Sequence, residues 1–472
     1  MSLIFDAPVT GADFRGRRVT IVGLGKGRTA GGLARFLVDQ GASVTVSDAK
    51  PRDQLQAGIG RLAGTPVELV LGPSSDDAAL ADPDFVFVVP GVRPRSATIL
   101  RARQRGVPVL TEIGLFFRLC PAEIVGVTGT KGKSTTTTLV GRILSHGSRR
   151  VHVGGNIGTA VIQELPRLTR EDVVVLELSS FQLETLGRSP HVAVVTNVLE
   201  DHLDHHGTRE AYVAAKSNIV RWQGARDMAV LNLDDPAAIG LHLGAESQLR
   251  GFSLSLQPRR GAYLDEGGQR VLADGSRRSA VCAATELRIP GRHNIANALA
   301  AAAVGAIYDI AAADIAAVLR EFEGLPHRLE LVGERGDVWW VNDSQGTTPV
   351  ATVAALRAYE RTTVVILGGV AKGADFAELG RVVAQQARGA VLIGQAADEI
   401  AEAIERGRRG HPPGDARVER AADLGEAVDR ARALARPGDV VLLSPACSSF
   451  DMFASYEARG ERFRELVRGL PA

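Results

Sequence analysis

Short apolar runs rich in β-branched residues alternate along the chain with Ala-, Leu- and Arg-rich stretches of helical period. The first run is RRVTIVGLG, which is followed by the helical stretch AGGLARFLVDQG, the strand-like SVTVSD and, further along, FVFVVPG. This alternation is typical of βαβ units and parallel sheets. The pattern therefore predicts an α/β protein.

Two interruptions of this pattern divide the chain into three blocks. The first block ends near PVLTEIGLFF, and the Gly and Pro of EGLPHR mark the second boundary. Within the middle block, residues 250–275 form strand-like pieces broken by Gly and Asp, which predicts a small antiparallel insertion. At about 150 residues per domain, the 472 residues are also enough for three cores. We expect domains at 1–110, 111–324 and 325–472.

The middle and last blocks each contain several predicted strands that run into small or polar residues. They are AEIVGVTGTKGKS, VVVLELSS and VAVVTNV in the middle block, and VWWVNDS, TVVILGG, AVLIGQ and DVVLLSPACSS in the last. In open parallel sheets, ligands bind outside the carboxyl ends of the strands. The candidate binding residues therefore lie where these runs end.

The charge balance argues against a polyanionic partner. Lys and Arg total 55 and Asp and Glu total 54, a formal net charge of +1, so there is no global attraction to nucleic acid or to an anionic membrane. The three cysteines are far apart and odd in number, as expected for a reduced compartment. No stretch reaches the ~18 apolar residues of a membrane span. We expect a cytoplasmic protein.

The stretch GLGKG follows the first predicted strand and precedes a helix. Gly23 and Gly25 permit a tight turn against a phosphate, and Asp48 ends the next strand where a ribose-binding acid would stand. The third glycine of a dinucleotide fingerprint is replaced by Arg28. The motif is compatible with a nucleotide site, with an NAD-dependent oxidoreductase, or with a simple glycine turn.

The stretch GVTGTKGKSTTTT resembles a phosphate-binding loop between a strand and a helix. Its first glycine is misplaced relative to G-x4-G-K-[ST], but Lys133 and the hydroxyls of Ser134 and Thr135 keep their positions at a helix start. Backbone N–H groups and the lysine would hold phosphate oxygens, and a hydroxyl would reach Mg²⁺. This loop predicts a nucleotide triphosphate site.

Carboxylates and histidines follow at two further strand ends. Glu177 is a charged residue in an apolar strand, which favours a nearby cation, although an acid paired with an arginine is the alternative. The stretch NVLEDHLDHH carries His202, His205, His206, Asp201 and Asp204. These residues are compatible with a transition-metal cluster or a solvated loop; we favour one histidine beside the ATP metal.

Ten motifs occur in the order and spacing of the Mur ligases, and the chain resembles the glutamate-adding members of that family over its whole length. The motifs are TGTKGKSTTTT, GGNIG, VLELSSFQLE, NVLEDHLDHH, YVAAKSNI, GRHNIANALAA, GLPHRLE, NDSQGTT, LGGVAKGADF and SPACSSFDMFASYEARGERF. The resemblance implies a Rossmann-like N-terminal domain, a central P-loop-type ATPase domain and a Rossmann-like C-terminal domain. It also implies an ATP-dependent ligase of peptidoglycan precursor synthesis. Such an enzyme joins glutamate to UDP-N-acetylmuramoyl-L-alanine through an acyl phosphate.

The resemblance also implies roles for individual residues. The catalytic set is Lys133, Glu177, His202 and Lys216. ATP would be bound by Gly129, Thr130, Lys131, Gly132, Lys133, Ser134, Thr135, Asn294, Asn297, Arg328 and Asp343. Two Mg²⁺ ions would be held by Ser134, Thr135, Glu177, His202 and Lys216, the last as a carbamate. The UDP substrate would meet Leu24, Lys26, Asp48, Lys50, Gly91, Asn156 and Ser179, and glutamate would meet Thr347, Lys372, Ser449 and Phe450.

Several positions depart from the pattern of enzymes that add D-glutamate. Those enzymes read Lys-Ala-Thr-Asn after NDS, whereas this chain reads Gln-Gly-Thr-Thr from Gln345. Tyr456 replaces a usual Phe, and Lys131 replaces a common Asn. A related subgroup that adds L-glutamate resembles this chain at GTKGKST, but LGGVAKGADF and SPACSSFD favour D-glutamate. We expect a monomer that uses D-glutamate, with L-glutamate as the alternative.

Overall fold

A computed structural model describes residues 4–25, 27–73, 75, 80–156, 160–199, 201–289, 291–371, 373–409 and 416–471, apart from the side chain of Asp204. The chain forms two compact units. The first unit comprises Met1–Glu286 and Ile295–Leu319, and the second comprises Leu287–Asn294 and Arg320–Ala472. Two sheets lie in the first unit and one in the second.

The N-terminal sheet has five parallel strands in the order β3-β2-β1-β4-β5. They are β1 Arg18–Val22, β2 Ser43–Asp48, β3 Val67–Leu71, β4 Phe85–Val88 and β5 Val109–Thr111. The accompanying helices are α1 Arg28–Asp39, α2 Gln56–Gly60, α3 Ala97–Gln104 and α4 Glu112–Leu119. Strand order reverses between β1 and β4, which is where an open α/β sheet binds its ligand.

The central sheet has nine strands in the order β14-β13-β12-β11-β10-β9-β6-β8-β7. They are β6 Glu123–Thr128, β7 Val151–Gly155, β8 Val173–Glu177, β9 Val192–Val195, β10 Met228–Asn232, β11 Gln248–Ser253, β12 Arg260–Leu264, β13 Gln269–Asp274 and β14 Arg277–Ala283. The strands from β7 to β12 pair in parallel, and β12, β13 and β14 pair antiparallel. The predicted antiparallel insertion is therefore present, and it extends the central sheet.

The helices that follow the central strands are mostly short, and three of them begin at a side-chain cap. They are α5 Lys133–Leu144, α6 Ser180–Leu183, α7 Leu203–His206, α8 Arg209–Ser217, α9 Pro236–Gly240, α10 Arg292–Ile307 and α11 Ala312–Glu321. The Thr208 side chain accepts from the backbone N–H of Ala211 at the start of α8. Such a cap satisfies a backbone donor that the helix leaves open.

One apolar core joins the N-terminal and central sheets within the first unit. It includes Ile21, Phe116, Leu176 and Val195, all fully buried. Each such side chain contributes roughly 1.5–3 kcal/mol on burial. Strand β8 is buried at every position because it lies inside a parallel sheet covered on both faces. This explains why its sequence is a continuous apolar run ending in one acid.

The third sheet has six strands in the order β15-β16-β20-β17-β18-β19. They are β15 Glu330–Arg335, β16 Val338–Asn342, β17 Thr363–Gly368, β18 Ala387–Ile393, β19 Arg417–Arg420 and β20 Val440–Leu443. The helices are α12 Pro349–Leu356, α13 Ala377–Gln386, α14 Ala397–Arg408, α15 Leu424–Leu434 and α16 Tyr456–Arg468. All pairs are parallel except β15 with β16. Val365 packs on one face and Ile366 on the other, so both faces of β17 are covered.

No helix among the described ranges combines the length and the apolar character needed to cross a bilayer.

Candidate functional site

The predicted phosphate loop follows β6, the strand between β8 and β9. Gly129 and Gly132 have φ values of 156° and 84°, and α5 begins directly after the loop. The Lys133 ammonium donates to the carbonyl oxygens of Gly129 at 3.0 Å and Thr130 at 3.1 Å. The lysine therefore folds over the loop, where its charge complements a bound phosphate.

Gly132 is required by close packing as well as by its backbone conformation. A Cβ atom at this position would lie 2.3 Å from Oδ1 of Asn297. Asn297 is buried, and its Oδ1 accepts from the Thr136 hydroxyl at 3.3 Å. The predicted ATP residue Asn297 thus supports the loop from α10.

The end of β9 fixes the phosphate loop from its other side, a role that the sequence analysis missed. The backbone N–H of Lys131 donates to Asn197 Oδ1 at 2.9 Å, and Asn197 Nδ2 donates to the Lys131 carbonyl at 3.0 Å. The Thr196 hydroxyl donates to the same carbonyl at 2.6 Å. The Lys131 side chain, which replaces a common Asn, lies 3.6 Å from Oδ2 of Asp201.

Glu177 ends β8 beside the loop and is buried. Its Oε2 accepts from the Ser134 hydroxyl at 2.6 Å, and its Oε1 accepts from Asn156 Nδ2 at 2.9 Å. A buried carboxylate with two neutral donors fits a cation ligand, and the oxygen donors suit Mg²⁺. Of the two predicted metal-binding hydroxyls, Ser134 is the one that bonds Glu177, while Thr135 is also buried.

Arg28, which replaces the third glycine of the fingerprint, links the N-terminal sheet to the central one. Its guanidinium donates to the carbonyl of Asn156 at 2.9 Å. The backbone N–H of Asn156 donates to the carbonyl of Glu177 at 2.8 Å. Arg28 therefore acts on the loop that presents Asn156 to Glu177.

Lys216 lies on α8 and is 1% exposed. Its Nζ is 3.4 Å from the Thr128 hydroxyl and 4.8 Å from the centre of the Tyr212 ring. Burial lowers the pKa of Lys216 well below its usual value; the Lys133 charge adds to this effect and Asp201 opposes it. The environment therefore favours the uncharged amine.

Tyr212 connects Lys216 to the phosphate loop, and it too was not predicted as a site residue. Its hydroxyl lies 2.9 Å from the Thr130 hydroxyl, and burial raises the pKa of Tyr212 to about 12. The Thr130 oxygen also accepts from the backbone N–H of Leu199 at 2.9 Å. Thr130 and Tyr212, 82 positions apart in sequence, thus form one side of the candidate site.

The histidines of NVLEDHLDHH point to two different places. His202 has φ 53°, is 47% exposed in its side chain, and its ring lies 4.9 Å from Phe181. His205 instead meets Glu184, with Nε2 to Oε2 at 2.9 Å. His206 Nε2 lies 3.0 Å from the Ser180 hydroxyl. Only His202 retains an exposed imidazole for the predicted magnesium role.

Four of the predicted UDP residues lie at or after the carboxyl ends of β1, β2 and β4: Leu24, Asp48, Lys50 and Gly91. Asp48 accepts from the backbone N–H groups of Leu24 at 2.9 Å, Gly25 at 3.0 Å and Lys50 at 3.0 Å. Burial raises the pKa of Asp48, but these hydrogen bonds outweigh it and leave the pKa below its usual value. Asp48 therefore orders the loop of the predicted UDP residues with both of its oxygens.

The remaining UDP residues are partly described. Gly91 follows β4 with φ 101°. Ser179 caps α6 in a capping box with Gln182, whose backbone N–H donates to Ser179 Oγ at 3.3 Å. Lys26 lies outside the described residues.

In the second unit, Asp343 follows β16 and is buried. It accepts from the Ser444 hydroxyl at 2.7 Å and from the backbone N–H of Leu329 at 3.2 Å. Burial raises the pKa of Asp343 to about 6 although these bonds and Arg328 oppose the rise. Asn294, another predicted ATP residue of this unit, is also buried.

Arg328 stands between two residues in the left-handed region, His327 at φ 61° and Leu329 at φ 44°. Non-glycine residues in this region concentrate at functional sites. The Arg328 Nε donates to Gln345 Oε1 at 3.0 Å. The neutral Gln345 therefore places no second positive charge beside Arg328.

The predicted glutamate residues differ in exposure. Ser449 is buried, Thr347 is partly buried and Phe450 is 54% exposed. Lys372 lies outside the described residues. Arg459 lies nearby and was not predicted as a site residue. It is 1% exposed and donates to the carbonyls of Ser344 at 3.0 Å and Cys447 at 3.1 Å. Burial lowers the pKa of Arg459 to about 10.

Comparisons with known proteins agree along the whole chain. Family models match as the Mur ligase MurD-like N-terminal domain at residues 17–111, the Mur ligase middle domain at 127–305, and the Mur ligase glutamate ligase domain at 327–447. The UDP-N-acetylmuramoylalanine–D-glutamate ligase of Pelotomaculum thermopropionicum is 42% identical over 459 residues, which is 97% of this chain and 99% of that protein. The same-named ligase of Symbiobacterium thermophilum is 42% identical over 456 residues, 96% of this chain and 98% of that protein.

Two solved structures share the fold. The UDP-N-acetylmuramate–alanine ligase MurC of Thermotoga maritima superposes with a TM-score of 0.60 at 22% identity, covering 96% of this chain and 99% of its own. A pseudomurein peptide ligase type C of Methanothermus fervidus gives a TM-score of 0.57 at 19% identity, with coverages of 96% and 99%. These likenesses bear on the fold, and they confirm the predicted three-part α/β architecture.

Proposed function

The chain belongs to the Mur ligase family, and from this premise we propose that it is the ATP-dependent ligase that joins D-glutamate to UDP-N-acetylmuramoyl-L-alanine. The observation that carries the proposal is the full-length similarity, at 42% identity, to ligases named for this reaction. The product is an amide of a peptidoglycan precursor. The local geometry supports the assignment because a phosphate loop, a buried carboxylate and a desolvated lysine meet in the central sheet.

The alternatives have less support. The relatives compared above are named for D-glutamate, which does not favour the L isomer. The segment that carries GLGKG lies in the match to the Mur ligase MurD-like N-terminal domain, and the relatives compared above are named as ligases and not as oxidoreductases. GLGKG is therefore better assigned to a UDP group than to NAD.

A carboxylate is a poor electrophile, so the reaction needs an activated acyl group. We propose that the alanine carboxylate of the UDP substrate attacks the γ-phosphorus of ATP, with ADP leaving. The glutamate amine then attacks the acyl carbon, and inorganic phosphate leaves with the former carboxylate oxygen. Lys133 would neutralise the phosphates from its position over the loop, where it reduces the repulsion between two anions.

The same residues fit a magnesium site. Glu177 and Ser134 would hold one ion beside the phosphate loop, with Thr135 as a further hydroxyl of that loop. His202 and a carbamate on Lys216 would hold the second. When bound, Mg²⁺ supplies charge neutralisation for phosphoryl transfer. Asn156, through its bond to Glu177 Oε1, would fix the orientation of the carboxylate.

The burial of Lys216 supports the carbamate proposal. Only an uncharged amine attacks CO₂, and burial lowers the pKa of Lys216, which shifts the balance toward that form. The amine nitrogen forms a bond to the carbon of CO₂ and releases one proton. The product is an anion in place of a cation, and an anion can approach a metal that an ammonium would repel.

We assign a separate set of residues to each of the three substrates. We propose that Leu24, Lys26, Asp48, Lys50, Gly91, Asn156 and Ser179 serve the UDP substrate. Thr347, Lys372, Ser449 and Phe450 would serve glutamate, and Asn294, Asn297, Arg328 and Asp343 would serve ATP. The domain limits 1–110, 111–324 and 325–472 remain part of this proposal. We also propose a cytoplasmic monomer, in keeping with nucleotide substrates and with three cysteines that form no disulfide in the described ranges.

Phosphate release tests the proposal directly. Purified protein with ATP and Mg²⁺ should release phosphate only when UDP-N-acetylmuramoyl-L-alanine and D-glutamate are both present, and L-glutamate should be a much poorer acceptor. With ¹⁸O in the alanine carboxylate, one label should appear in the released phosphate. Phosphate release that is independent of the UDP substrate would reject the ligase, and unlabelled phosphate would reject the acyl phosphate.

The role of Lys216 has its own test. Lys216→Ala should lose most of the activity and regain part of it when acetate or propionate is added, because a short carboxylate replaces the missing anion. Lys133→Ala is the matched control, since its defect should not respond to carboxylates. Full activity of Lys216→Ala without any additive would contradict the assigned role.

A further inference from the structure

A cluster of metal-binding side chains lies beside the residues used above, and the proposed reaction does not employ it. Its members are Glu184 near the end of α6 and His205 and His206 at the end of α7. One ligand atom from each lies within 4.8 Å of the others. His205 is 8% exposed and His206 fully buried in its side chain, and Glu184 is 16% exposed.

The buried imidazole of His206 has an unsatisfied nitrogen aimed at this cluster. Its Nε2 bonds the Ser180 hydroxyl at 3.0 Å. Among the described residues, none hydrogen-bonds His206 Nδ1, which lies 4.0 Å from Glu184 Oε2. If Nε2 carries the proton, Nδ1 presents a lone pair to a carboxylate; if Nδ1 carries it, 4.0 Å is too long for a hydrogen bond. A cation between the two atoms would satisfy both.

We propose that Glu184, His205 and His206 form a binding site for a transition-metal ion of the Zn²⁺ class. Two imidazoles and one carboxylate are a typical three-ligand set for zinc, which leaves an open position. Metal–ligand bonds of about 2.1 Å place tetrahedral ligands about 3.4 Å apart. The distances of 2.9 Å from Glu184 Oε2 to His205 Nε2 and 4.0 Å to His206 Nδ1 bracket that value.

The surroundings have the features of a built metal site. The Ser180 hydroxyl is a partner for the second nitrogen of His206, as metal-ligating histidines usually require. The Phe181 ring packs on both imidazoles, at 4.5 Å from His205 and 5.7 Å from His206. Glu184 and His205 also line a cavity together with Gly91.

The chemistry separates this site from the predicted magnesium positions. Imidazole nitrogen favours Zn²⁺, Co²⁺ and Ni²⁺, whereas Mg²⁺ favours oxygen. An ion here would join α6 to α7. Because Ser179 caps α6, we expect metal binding to stabilise the segment that carries this predicted substrate contact.

Cobalt provides the probe. Protein freed of metal and titrated with Co²⁺ alone, without nucleotide, should bind one equivalent with the visible absorption of a four- or five-coordinate nitrogen-containing site, and Zn²⁺ should displace it. His205→Ala, His206→Ala and Glu184→Gln should each weaken Co²⁺ binding at least tenfold. Zn²⁺ should raise the thermal unfolding temperature of the wild type and leave that of Glu184→Gln unchanged.

Two control variants sharpen the result. His202→Ala should retain the cobalt spectrum, because His202 lies outside the cluster, and the exposed His146→Ala should do the same. Glu184→Gln keeps the side-chain shape, so it tests the site even if a histidine variant fails to fold. The proposal is overturned if no saturable Co²⁺ binding occurs, if the three cluster variants bind like the wild type, or if His202→Ala alone abolishes the spectrum.

Discussion

Glu112 provides a quantitative test of the first unit. It begins α4, is 4% exposed, and its Oε1 accepts from the backbone N–H of Ile162 at 3.2 Å. Burial raises the pKa of Glu112 to about 7 although backbone hydrogen bonds and Arg28 oppose the rise. We expect Glu112→Gln, which removes the charge and keeps the carbonyl acceptor, to stabilise this unit at alkaline pH relative to the wild type.

The sign and size follow from proton linkage. The pKa of Glu112 in the fold lies above its ordinary value of 4.5, so the folded state holds more protons between pH 4.5 and about 7. The contribution of Glu112 to stability is therefore complete below pH 4.5 and is lost as the pH rises through about 7. At about 1.4 kcal/mol per tenfold change in proton affinity, the variant should gain about 2–3 kcal/mol on the wild type between about pH 5 and about pH 8.

Urea unfolding of the wild type and of Glu112→Gln at several pH values measures the difference between their free energies of unfolding. The titratable groups that the two proteins share contribute equally to both and cancel in this difference. Hydrogen exchange in peptides that contain Ile162 assigns the transition to the first unit. Glu171→Gln, at an exposed carboxylate, is the control and should change the stability far less than Glu112→Gln does at alkaline pH. A stability difference between Glu112→Gln and the wild type that is constant from pH 5 to 8 would refute the reasoning.

Three further changes probe the candidate sites. Gly132→Ala should lower kcat with ATP about tenfold or more, because the added Cβ would lie 2.3 Å from Asn297 Oδ1. Comparing the kinetics of Gly132→Ala with those of the double variant Gly132→Ala/Asn297→Ala measures the effect of this clash. Arg328 Nε donates to Gln345 Oε1 at 3.0 Å, so Gln345→Lys places a second cation beside Arg328 and should raise KM for ATP. Gln345→Met adds no charge and should raise KM for ATP less. Arg459→Lys should raise KM for D-glutamate about tenfold, because lysine cannot satisfy the carbonyls that the guanidinium now holds. An unchanged KM with an intact far-UV spectrum would contradict that positioning role.

Most of the strands were predictable because parallel strands covered on both faces require continuous apolar runs. SVTVSD and the apolar run VVVLE of VVVLELSS coincide with β2 and β8. Strands β3 and β15 were missed because VELVL and ELVGER lie at sheet edges and interrupt the apolar run with charges. The central insertion was predicted, but its parallel pairing of β11 with β12 follows from tertiary packing alone.

The candidate site was predictable only where chemistry is local in sequence. The phosphate loop and Glu177 carry their signal in a few adjacent residues. Lys216 alone reads as an exposed helix lysine, and its burial depends on Tyr212 and Thr128, the latter 88 positions away. Asp48 carries a second role that its spacing does not indicate, since its oxygens accept the backbone N–H groups that order the predicted UDP loop.

The place of β20 in the third sheet has a consequence for synthesis of the chain. This strand pairs with β16 on one side and with β17 on the other, although it follows both by many residues. Until residue 443 has left the ribosome, β16 and β17 have no common neighbour and each offers an unpaired edge. We therefore expect nascent chains that stop before β20 to depend on chaperones, and this sheet to assemble in one late step rather than strand by strand.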